Sequence, residues 1–172
     1  SQWGNVYLQS FLLGDFNVYN IMAVFGSLMA KGYDIEKVKC IISQLKPAPG
    51  RMEVVSQKPL VIVDYAHTPD ALENALKTLK AFQQETQAGK LWVVFGCGGD
   101  RDASKRPMMG KIASEFADQV VVTSDNPRHE DPNKIIEQVL KGVSKQVINI
   151  SDRFQAIQTC LSEASPNLSL IH

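Results

Sequence analysis

The sequence lacks an excess of charge of either sign, and it lacks long apolar runs. Lys and Arg together number 18, and Asp and Glu together number 18, so the 172 residues carry no net charge. A chain that binds nucleic acid or a membrane surface gains affinity from a basic field, which is missing here. No apolar run is long enough to cross a bilayer. We therefore expect no nucleic acid and no membrane among the partners.

Cysteine is scarce, and the phosphate-binding glycine motif is absent. Cys40, Cys97 and Cys160 are an odd number without metal-type spacing, and free thiols in a reducing cytosol are the simple interpretation. We therefore expect a cytoplasmic protein. No Gly-Lys-Ser/Thr occurs, which excludes a P-loop within this chain. The glycine spacing also argues against a dinucleotide-binding dehydrogenase.

The composition that remains is that of a globular protein, with 44% hydrophobic and 21% charged residues. Its length suits one domain, or one domain plus a fragment. The chain opens abruptly at Ser1, and its last apolar run, residues 168–171, resembles an unfinished strand. We therefore expect a piece of a longer protein.

Two patterns lie on either side of the Pro-Ala-Pro-Gly segment at residues 47–50, which is typical of a hinge. Before it, apolar residues recur at helical spacing in two segments. Gly32 can end the first helix, and Asp34 can cap the second. The apolar positions are Ile21, Phe25 and Leu28, then Ile35, Val38, Ile42 and Leu45. We expect a mainly helical segment over residues 1–49 and a separate domain over residues 50–172.

After the hinge, short apolar strands alternate with amphipathic helices. Thr68-Pro69 and Asp131-Pro132 each combine a capping side chain with proline at the first helical position. The predicted strands are residues 60–63, 91–95, 120–123, 147–150 and 168–171, and a last helix is marked by Phe154, Ile157 and Leu161. This alternation predicts an α/β, Rossmann-like fold, with a mostly parallel sheet, right-handed crossovers and helices on both faces.

Polar clusters directly follow three of these strands, at residues 64–68, 96–102 and 124–128. Ligands of open parallel sheets bind beyond the carboxyl ends of the strands. We therefore expect the three loops to face one cleft.

Residues 96–102 contain three glycines, which let a backbone approach a ligand closely. A tight turn without function explains the glycines equally well. Arg101 beside them favours an anionic ligand, because its guanidinium can reach across such a loop.

The cluster of Asp125, Asn126, Pro127 and Arg128 is more informative. Pro127 restricts the backbone and the two residues before it bond readily to nearby main chain, which predicts a rigid turn. Arg128 then presents a planar fork suited to a carboxylate. The alternative is an Asx turn with a solvated arginine, and the local chemistry alone favours that alternative.

Three further residues are candidates. Asp64 ends a strand, where a carboxylate commonly binds a ribose hydroxyl. His67 fits a general base, a metal ligand or a donor to a nucleotide, although a turn histidine bonded to the backbone is the preferred interpretation. Arg51 is either a surface arginine of the linker or a cation brought to phosphate when two domains close.

Together the motifs resemble those of the Mur ligases, of the type that adds meso-diaminopimelate to UDP-N-acetylmuramoyl-L-alanyl-D-glutamate (the MurE type). They occur in family order along the chain and are specific as a set, although Asp15 is a minor departure. The motifs are residues 14–20 (GDFNVYN), 50–53 (GRME), 64–70 (DYAHTPD), 96–102 (GCGGDRD), 105–107 (KRP) and 125–128 (DNPR).

The resemblance implies roles for individual residues. Asn17 and Asn20 match asparagines of the central ATPase domain that lie near the adenine, and Arg51 matches an arginine that reaches the ATP phosphates. Asp64 matches the ribose-binding aspartate, and His67 matches a neighbouring nucleotide contact. The positions that match the diaminopimelate site are Arg101, Asp125, Asn126 and Arg128. Relatives that add lysine have an altered tetrapeptide, which assigns Arg128 to the distal carboxylate.

The resemblance also implies a reaction. ATP phosphorylates the D-glutamate side-chain carboxylate, and the amine of the incoming amino acid attacks the acyl phosphate. The phosphate loop, the Mg²⁺ ligands and the UDP-substrate domain of the family match segments upstream of Ser1, so no metal ligand is expected here. Residues 1–49 would be the end of the central ATP-binding domain, and residues 50–172 a C-terminal domain truncated before the last residues of its amino-acid pocket.

From this we expect the chain alone to be inactive and the full-length enzyme to be monomeric. Its substrates would be ATP, meso-diaminopimelate and the UDP-MurNAc-dipeptide. Two alternatives stay open. One is a lysine-adding or folylpolyglutamate-type ligase, and the other is a Rossmann-like binding module without catalysis.

Overall fold

The computed structural model describes residues 5–10, 12–87, 89–163 and 169–171. Contacts divide the chain into two compact units, Ser1–Pro49 and Gly50–His172. The division falls within the Pro-Ala-Pro-Gly segment, where few contacts cross a linker of this composition. Over the described ranges, no helix has the length and apolar character needed to span a membrane.

The first unit contains the two predicted helices, α1 (Asp15–Ala30) and α2 (Ile35–Ser43). Gly32 adopts φ 79° after α1, and its N–H donates to the Met29 carbonyl (3.0 Å), which ends the helix. The Asp34 side chain accepts from the Lys37 N–H (3.1 Å) and caps α2. Ile21, Val38 and Ile42 form the buried core, and the partly buried side chains around it are Leu8, Leu12, Phe25, Leu28, Met29 and Leu45.

The second unit is an α/β domain with one six-stranded sheet in the order β1-β2-β6-β3-β4-β5. Its strands are β1 (Glu53–Gln57), β2 (Leu60–Val63), β3 (Trp92–Phe95), β4 (Gln119–Val122), β5 (Ile148–Asn149) and β6 (Ser169–Ile171). Its helices are α3 (Pro69–Thr86), α4 (Lys105–Phe116), α5 (Pro132–Leu140) and α6 (Arg153–Glu163). All neighbouring strands pair in parallel except β1 and β2. The predicted fold class is confirmed.

Two features of the sheet were not part of the sequence prediction. The edge strand β1 was not predicted, because it is short and most of its side chains are exposed, which leaves little apolar alternation to detect. The last strand, β6, lies between β2 and β3 at the centre of the sheet. Leu168, which the prediction included in that strand, lies outside the described residues.

Helices cover both faces of the sheet. Trp92, Val94 and Val121 point to the face on which α6 packs with Ala156 and Cys160. Because side chains alternate along a strand, Val93, Phe95 and Val120 point to the other face, and all three are fully buried. There α3 packs on α4 and α4 packs on α5, with the caps predicted at Thr68 and Asp131 in place.

The buried face of α6 is not the face that Phe154, Ile157 and Leu161 predicted from the sequence. Phe154 is 74% exposed and Leu161 is 40% exposed, and only Ile157 of the three packs against the core. Ala156 and Cys160, four residues apart, face the sheet instead. Their small side chains let the helix lie close to the indole of Trp92, a packing preference that hydrophobicity alone does not reveal.

Candidate functional site

A cleft of ≈ 560 Å³ lies at the carboxyl ends of β2, β3 and β4. Residues from the loops after all three strands line it, as the position of the polar clusters predicted. Three aspartates and five cationic side chains line its walls, so the cleft suits a ligand that carries both negative and positive groups. The cationic side chains are Arg101, Lys105, Arg106, Arg128 and Arg153.

The strand-end aspartate, Asp64, has a structural role as well as a place in the cleft. Its Oδ2 atom accepts from the Met52 N–H (2.9 Å) and so holds the turn at residues 50–52 against β2. Met52 is buried and has φ 49°, a conformation that non-glycine residues seldom adopt. Oδ1 makes no hydrogen bond with the described residues and remains available to a ligand hydroxyl.

Arg51, Tyr65 and His67 contact one another in series within the second unit. The Arg51 guanidinium lies 5.0 Å above the centre of the Tyr65 ring, a cation–π geometry. The Tyr65 and His67 ring centres are 5.0 Å apart, and His67 Nδ1 lies 3.0 Å from the Tyr65 carbonyl oxygen. His67 therefore lines the cleft as a turn histidine bonded to the backbone, whereas Arg51 is not among the lining residues.

The glycine loop and the 125–128 turn are bonded to each other. The Gly99 N–H donates to the Asn126 carbonyl (2.8 Å), and Arg128 Nη1 donates to the Gly99 carbonyl. A Cβ atom at Gly99 would lie 1.9 Å from the Pro127 carbonyl oxygen, so only glycine permits this approach. The glycine loop therefore contacts the 125–128 turn closely. The sequence analysis interpreted the glycines as a ligand-binding loop or as a tight turn, and neither interpretation included this contact.

Three residues with strained backbone lie on the loops around the cleft. Met52, Asp100 and Arg128 have φ values of 49°, 51° and 48°. In each case a side-chain oxygen accepts from the strained residue's own N–H. The acceptors are Asp64 (2.9 Å), Glu130 (2.6 Å) and Asn126 (3.3 Å), respectively. Such strain persists where surrounding groups over-determine it, and it is characteristic of functional loops.

The predicted amino-acid-binding residues are brought together. Arg101, Asp125, Asn126 and Arg128 all line the cleft, and all four are exposed. Arg101 makes no hydrogen bond or ion pair with the described residues. Its guanidinium can therefore bind a ligand without losing a partner within those ranges.

Arg106 was quoted in a motif but given no role, and it is the most buried polar residue of the site, at 2% exposure. Its guanidinium donates two bonds to Glu130 (2.7 and 2.8 Å), one to Gln138 (2.7 Å) and one to the Gly98 carbonyl (3.1 Å). The hydrogen bonds from Arg106 hold the pKa of Glu130 down at about 2. Glu130 is therefore ionised at neutral pH.

Arg153 is a second cleft residue that the sequence analysis missed. It begins α6, directly after β5, and its Nη1 donates to the Ser124 carbonyl (3.3 Å). The rule that identified the other loops, polar residues after a parallel strand, applies here too. The sequence analysis placed the end of this strand within one residue, so the same rule applied to residues 151–153 could have identified Arg153.

Cys97 also lines the cleft, and its thiol is a side chain that could act as a nucleophile. Burial raises the pKa of its thiol to about 11, although the nearby Arg106 opposes that shift. At neutral pH Cys97 is a protonated thiol, and a thiol is a poor nucleophile. Covalent catalysis by Cys97 is therefore disfavoured.

The two asparagines predicted to lie near an adenine belong to the first unit. Asn17 and Asn20 are neighbours on α1, where Asn20 Nδ2 donates to Asn17 Oδ1 (3.1 Å). Asn17 Nδ2 also donates to the Leu13 carbonyl (2.7 Å). Their roles stay predictions. Within the described parts of the chain, no three His, Cys, Asp or Glu side chains are grouped so that they could hold a metal ion.

Residues 50–171 match a known family, described as Mur ligase, glutamate ligase domain. The UDP-N-acetylmuramoyl-L-alanyl-D-glutamate--2,6-diaminopimelate ligase of Haemophilus ducreyi is 48% identical over an alignment of 172 positions that covers 96% of this chain and 34% of that protein. The protein of the same name from Neisseria meningitidis serogroup B is 47% identical, with the same coverage. The chain thus spans about a third of the length of the curated relatives it matches.

Solved structures agree with this assignment. A UDP-N-acetylmuramoyl-L-alanyl-D-glutamate--2,6-diaminopimelate ligase is 40% identical with a TM-score of 0.68, and the match covers 99% of this chain and 35% of that one. The UDP-N-acetylmuramate-alanine ligase of Thermotoga maritima is 26% identical with a TM-score of 0.74, covering 97% and 36%. The match over residues 50–171 and these relatives together show that the chain belongs to the Mur ligase family, with the glutamate ligase domain of that family in its second unit.

Proposed function

We propose that this chain is the C-terminal part of an ATP-dependent ligase that adds meso-diaminopimelate to UDP-MurNAc-L-Ala-D-Glu in peptidoglycan precursor synthesis. The observation that carries the proposal is the convergence of Arg101, Asp125, Asn126 and Arg128 on one cleft. The relatives with 46–48% identity bear the name of that ligase, which supports the choice of substrate.

The chemistry of diaminopimelate fits these residues. The amino acid carries a carboxylate and an amine at each end. Arg101 and Arg128 offer two guanidinium forks, each suited to a planar carboxylate. Asp125 and Asn126 offer acceptors for an ammonium group. The cleft therefore offers positive groups for the carboxylates and acceptors for the ammonium groups of the same ligand.

The nucleotide side of the proposal rests on Asp64, His67 and Arg51. The Oδ1 atom of Asp64, which makes no bond with the described residues, can accept from a ribose hydroxyl. His67 supports the same ligand from the next turn. Arg51, held over the Tyr65 ring, is the cation that we assign to the ATP phosphates in the full-length enzyme. Asn17 and Asn20 are assigned to the neighbourhood of the adenine.

In the proposed reaction, the γ-phosphoryl group of ATP passes to the D-glutamate side-chain carboxylate, which yields ADP and an acyl phosphate. The neutral amine of the amino acid then attacks the acyl carbon. A C–N bond forms, the C–O bond to phosphate breaks, and the amine proton is released. The residues of this chain bind and orient the amine, and positioning of this kind supplies much of the rate. Mg²⁺ belongs to the proposal through ligands elsewhere in the protein.

A ligation assay tests the proposal. The full-length protein is expected to release phosphate from ATP when it is given UDP-MurNAc-L-Ala-D-Glu and meso-diaminopimelate. The 172-residue chain alone is expected to show no turnover, because it contains no Gly-Lys-Ser/Thr phosphate loop. Turnover by the 172-residue chain would contradict the proposal that the ATP phosphates are bound by a phosphate loop elsewhere in the full-length protein. A monomeric, cytoplasmic enzyme is part of the same proposal, and an odd number of cysteines without metal-type spacing suits a reducing cytosol.

The same assay separates the alternatives. L-Lysine in place of diaminopimelate would support turnover by a lysine-adding ligase. A folylpolyglutamate-type ligase would turn over only when L-glutamate is supplied together with a folate in place of the UDP-MurNAc-dipeptide, and a non-catalytic binding module would turn over none of the three amino acids. Likeness to the folylpolyglutamate synthase of Thermotoga maritima, at 22% identity and a TM-score of 0.75, concerns the fold alone. The diaminopimelate reading is the better supported.

Asp64→Ala in the full-length enzyme is expected to raise KM for ATP by about tenfold, the usual scale for one lost hydrogen bond to a charged group. Asp64→Asn is expected to raise it less, since its amide oxygen can still accept from the Met52 N–H. Steady-state kinetics at saturating diaminopimelate measures both. Equal KM values for ATP in wild type and Asp64→Ala would remove Asp64 from the nucleotide site.

A further inference from the structure

Arg101 and Arg128, the two arginines assigned to the carboxylates, lie on different loops that an ion pair joins, between the buried Arg106 and the partly exposed Glu130. Arg101 follows Asp100 on the glycine loop, and Arg128 precedes Glu130 by two residues. Glu130 Oε1 accepts from the Asp100 N–H (2.6 Å), and both Glu130 oxygens accept from Arg106. One carboxylate therefore links both loops to a single buried guanidinium.

The backbone of Asp100 depends on this link. Asp100 has φ 51°, a left-handed conformation that non-glycine residues adopt only rarely and that Asp adopts more readily when a local hydrogen bond supports it. The bond from its N–H to Glu130 holds it there. Because the conformation of residue 100 sets the direction in which the chain leaves it, that bond also sets where Arg101 points.

The rest of the network makes Glu130 a firm anchor. Arg106 is buried to 2% exposure, and it also binds the Gly98 carbonyl and the Gln138 side chain on α5. The bidentate geometry fixes the carboxylate plane. A second link, from His129 Nδ1 to Asp100 Oδ2 (2.7 Å), joins the same two loops but is fully at the surface, with His129 93% exposed.

We propose that Glu130, fixed by Arg106, is a positioning residue that holds Arg101 at a set distance from Arg128 and so determines affinity for a substrate with two carboxylates. The inference rests on the proposed function, because it takes Arg101 and Arg128 as ligands of the amino acid. Glu130 acts through Asp100 and Arg106 and touches no substrate.

The test compares Glu130→Gln with Glu137→Gln in the full-length enzyme. Both changes remove one carboxylate, but Glu137 is exposed on α5, and its side chain makes no hydrogen bond or ion pair with the described residues of the network. Glu130→Gln is expected to raise KM for meso-diaminopimelate by about tenfold while KM for ATP changes by less than about twofold. Glu137→Gln is expected to change neither. A loss of kcat with both KM values unchanged would overturn the proposal, since that is the result of a smaller folded fraction.

A rescue variant separates positioning from general stability. Glycine adopts positive φ without strain, so Asp100→Gly no longer needs the bond to Glu130. In the Glu130→Gln background, Asp100→Gly is expected to recover at least about half of the lost affinity for diaminopimelate on a logarithmic scale. An undiminished KM defect in the double variant would contradict the proposal.

Failure of the proposed function gives a different result. If wild type uses lysine or glutamate instead, the same KM comparison is made with that amino acid, and an unchanged KM in Glu130→Gln overturns the inference. If wild type joins none of the three, amide hydrogen exchange of residues 98–101 decides. Faster exchange in Glu130→Gln than in Glu137→Gln supports the anchoring role, and equal exchange overturns it.

Discussion

Arg128→Ala in the full-length ligase is expected to lower kcat/KM for meso-diaminopimelate by about 30-fold or more, which corresponds to about 2 kcal/mol. The physical reason is the loss of a guanidinium fork whose carboxylate partner stays desolvated in the cleft. The measurement is steady-state ligation at saturating ATP and UDP-MurNAc-dipeptide. The effect should appear in KM, because the distal carboxylate lies away from the amine that reacts.

Lysine provides a control for this prediction. It lacks only the distal carboxylate of diaminopimelate, so kcat/KM for lysine should change little in Arg128→Ala. Any fall in kcat/KM that lysine does show measures the loss of the bond that Arg128 donates to the Gly99 carbonyl, because that loss affects both substrates alike. Arg128→Lys keeps the charge but not the fork, and an intermediate loss is expected. Unchanged discrimination between diaminopimelate and lysine would remove Arg128 from the distal site.

Gly99→Ala is expected to destabilise the second unit by about 3 kcal/mol and to reduce ligation severely, since overpacking of a close contact costs about 1–3 kcal/mol or more. The added Cβ would lie 1.9 Å from the Pro127 carbonyl oxygen and 2.6 Å from its carbon, and both are backbone atoms. The glycine loop and the 125–128 turn must then separate, which breaks the bond from the Gly99 N–H to Asn126. Thermal unfolding measures the loss of stability, and kcat/KM for diaminopimelate measures the loss of ligation.

Gly98→Ala is the matched control one residue away. Its Cβ would meet the end of the Arg128 side chain at 3.4 Å and the Asn126 carbonyl oxygen at 3.6 Å, which are ordinary contacts. A stability change within about 0.5 kcal/mol is expected, the usual range for a substitution that meets no special feature. Equal damage from both substitutions would show that the loop rejects side chains in general.

The positions of the two loops explain why both predictions concern the same few atoms. Gly99 lets the loops touch, Arg128 bonds across the junction, and Glu130 anchors it to Arg106. Under the proposed function, binding a substrate with two carboxylates requires Arg101 and Arg128 to stand at a fixed separation. Rigid loops at strand ends meet that requirement better than mobile ones.

The amino-acid sequence by itself determined the helices, the strands other than β1, and the place of the candidate cleft. The caps at Thr68 and Asp131 were predictable because capping is local chemistry between residues two or three apart. The parallel sheet followed from the alternation of strands and helices. The cleft followed from polar loops at strand ends, and the residues placed there include Asp64, Arg101 and Arg128.

Tertiary structure alone decided how those residues are held. Arg106 and Glu130 are 24 residues apart, and Gly99 and Pro127 are 28 apart, so no local pattern links them. The strand order, with β6 between β2 and β3, likewise depends on packing of the whole sheet. Sequence patterns report short-range preferences of the backbone, whereas ion pairs and close approaches between loops exist only once the chain has folded.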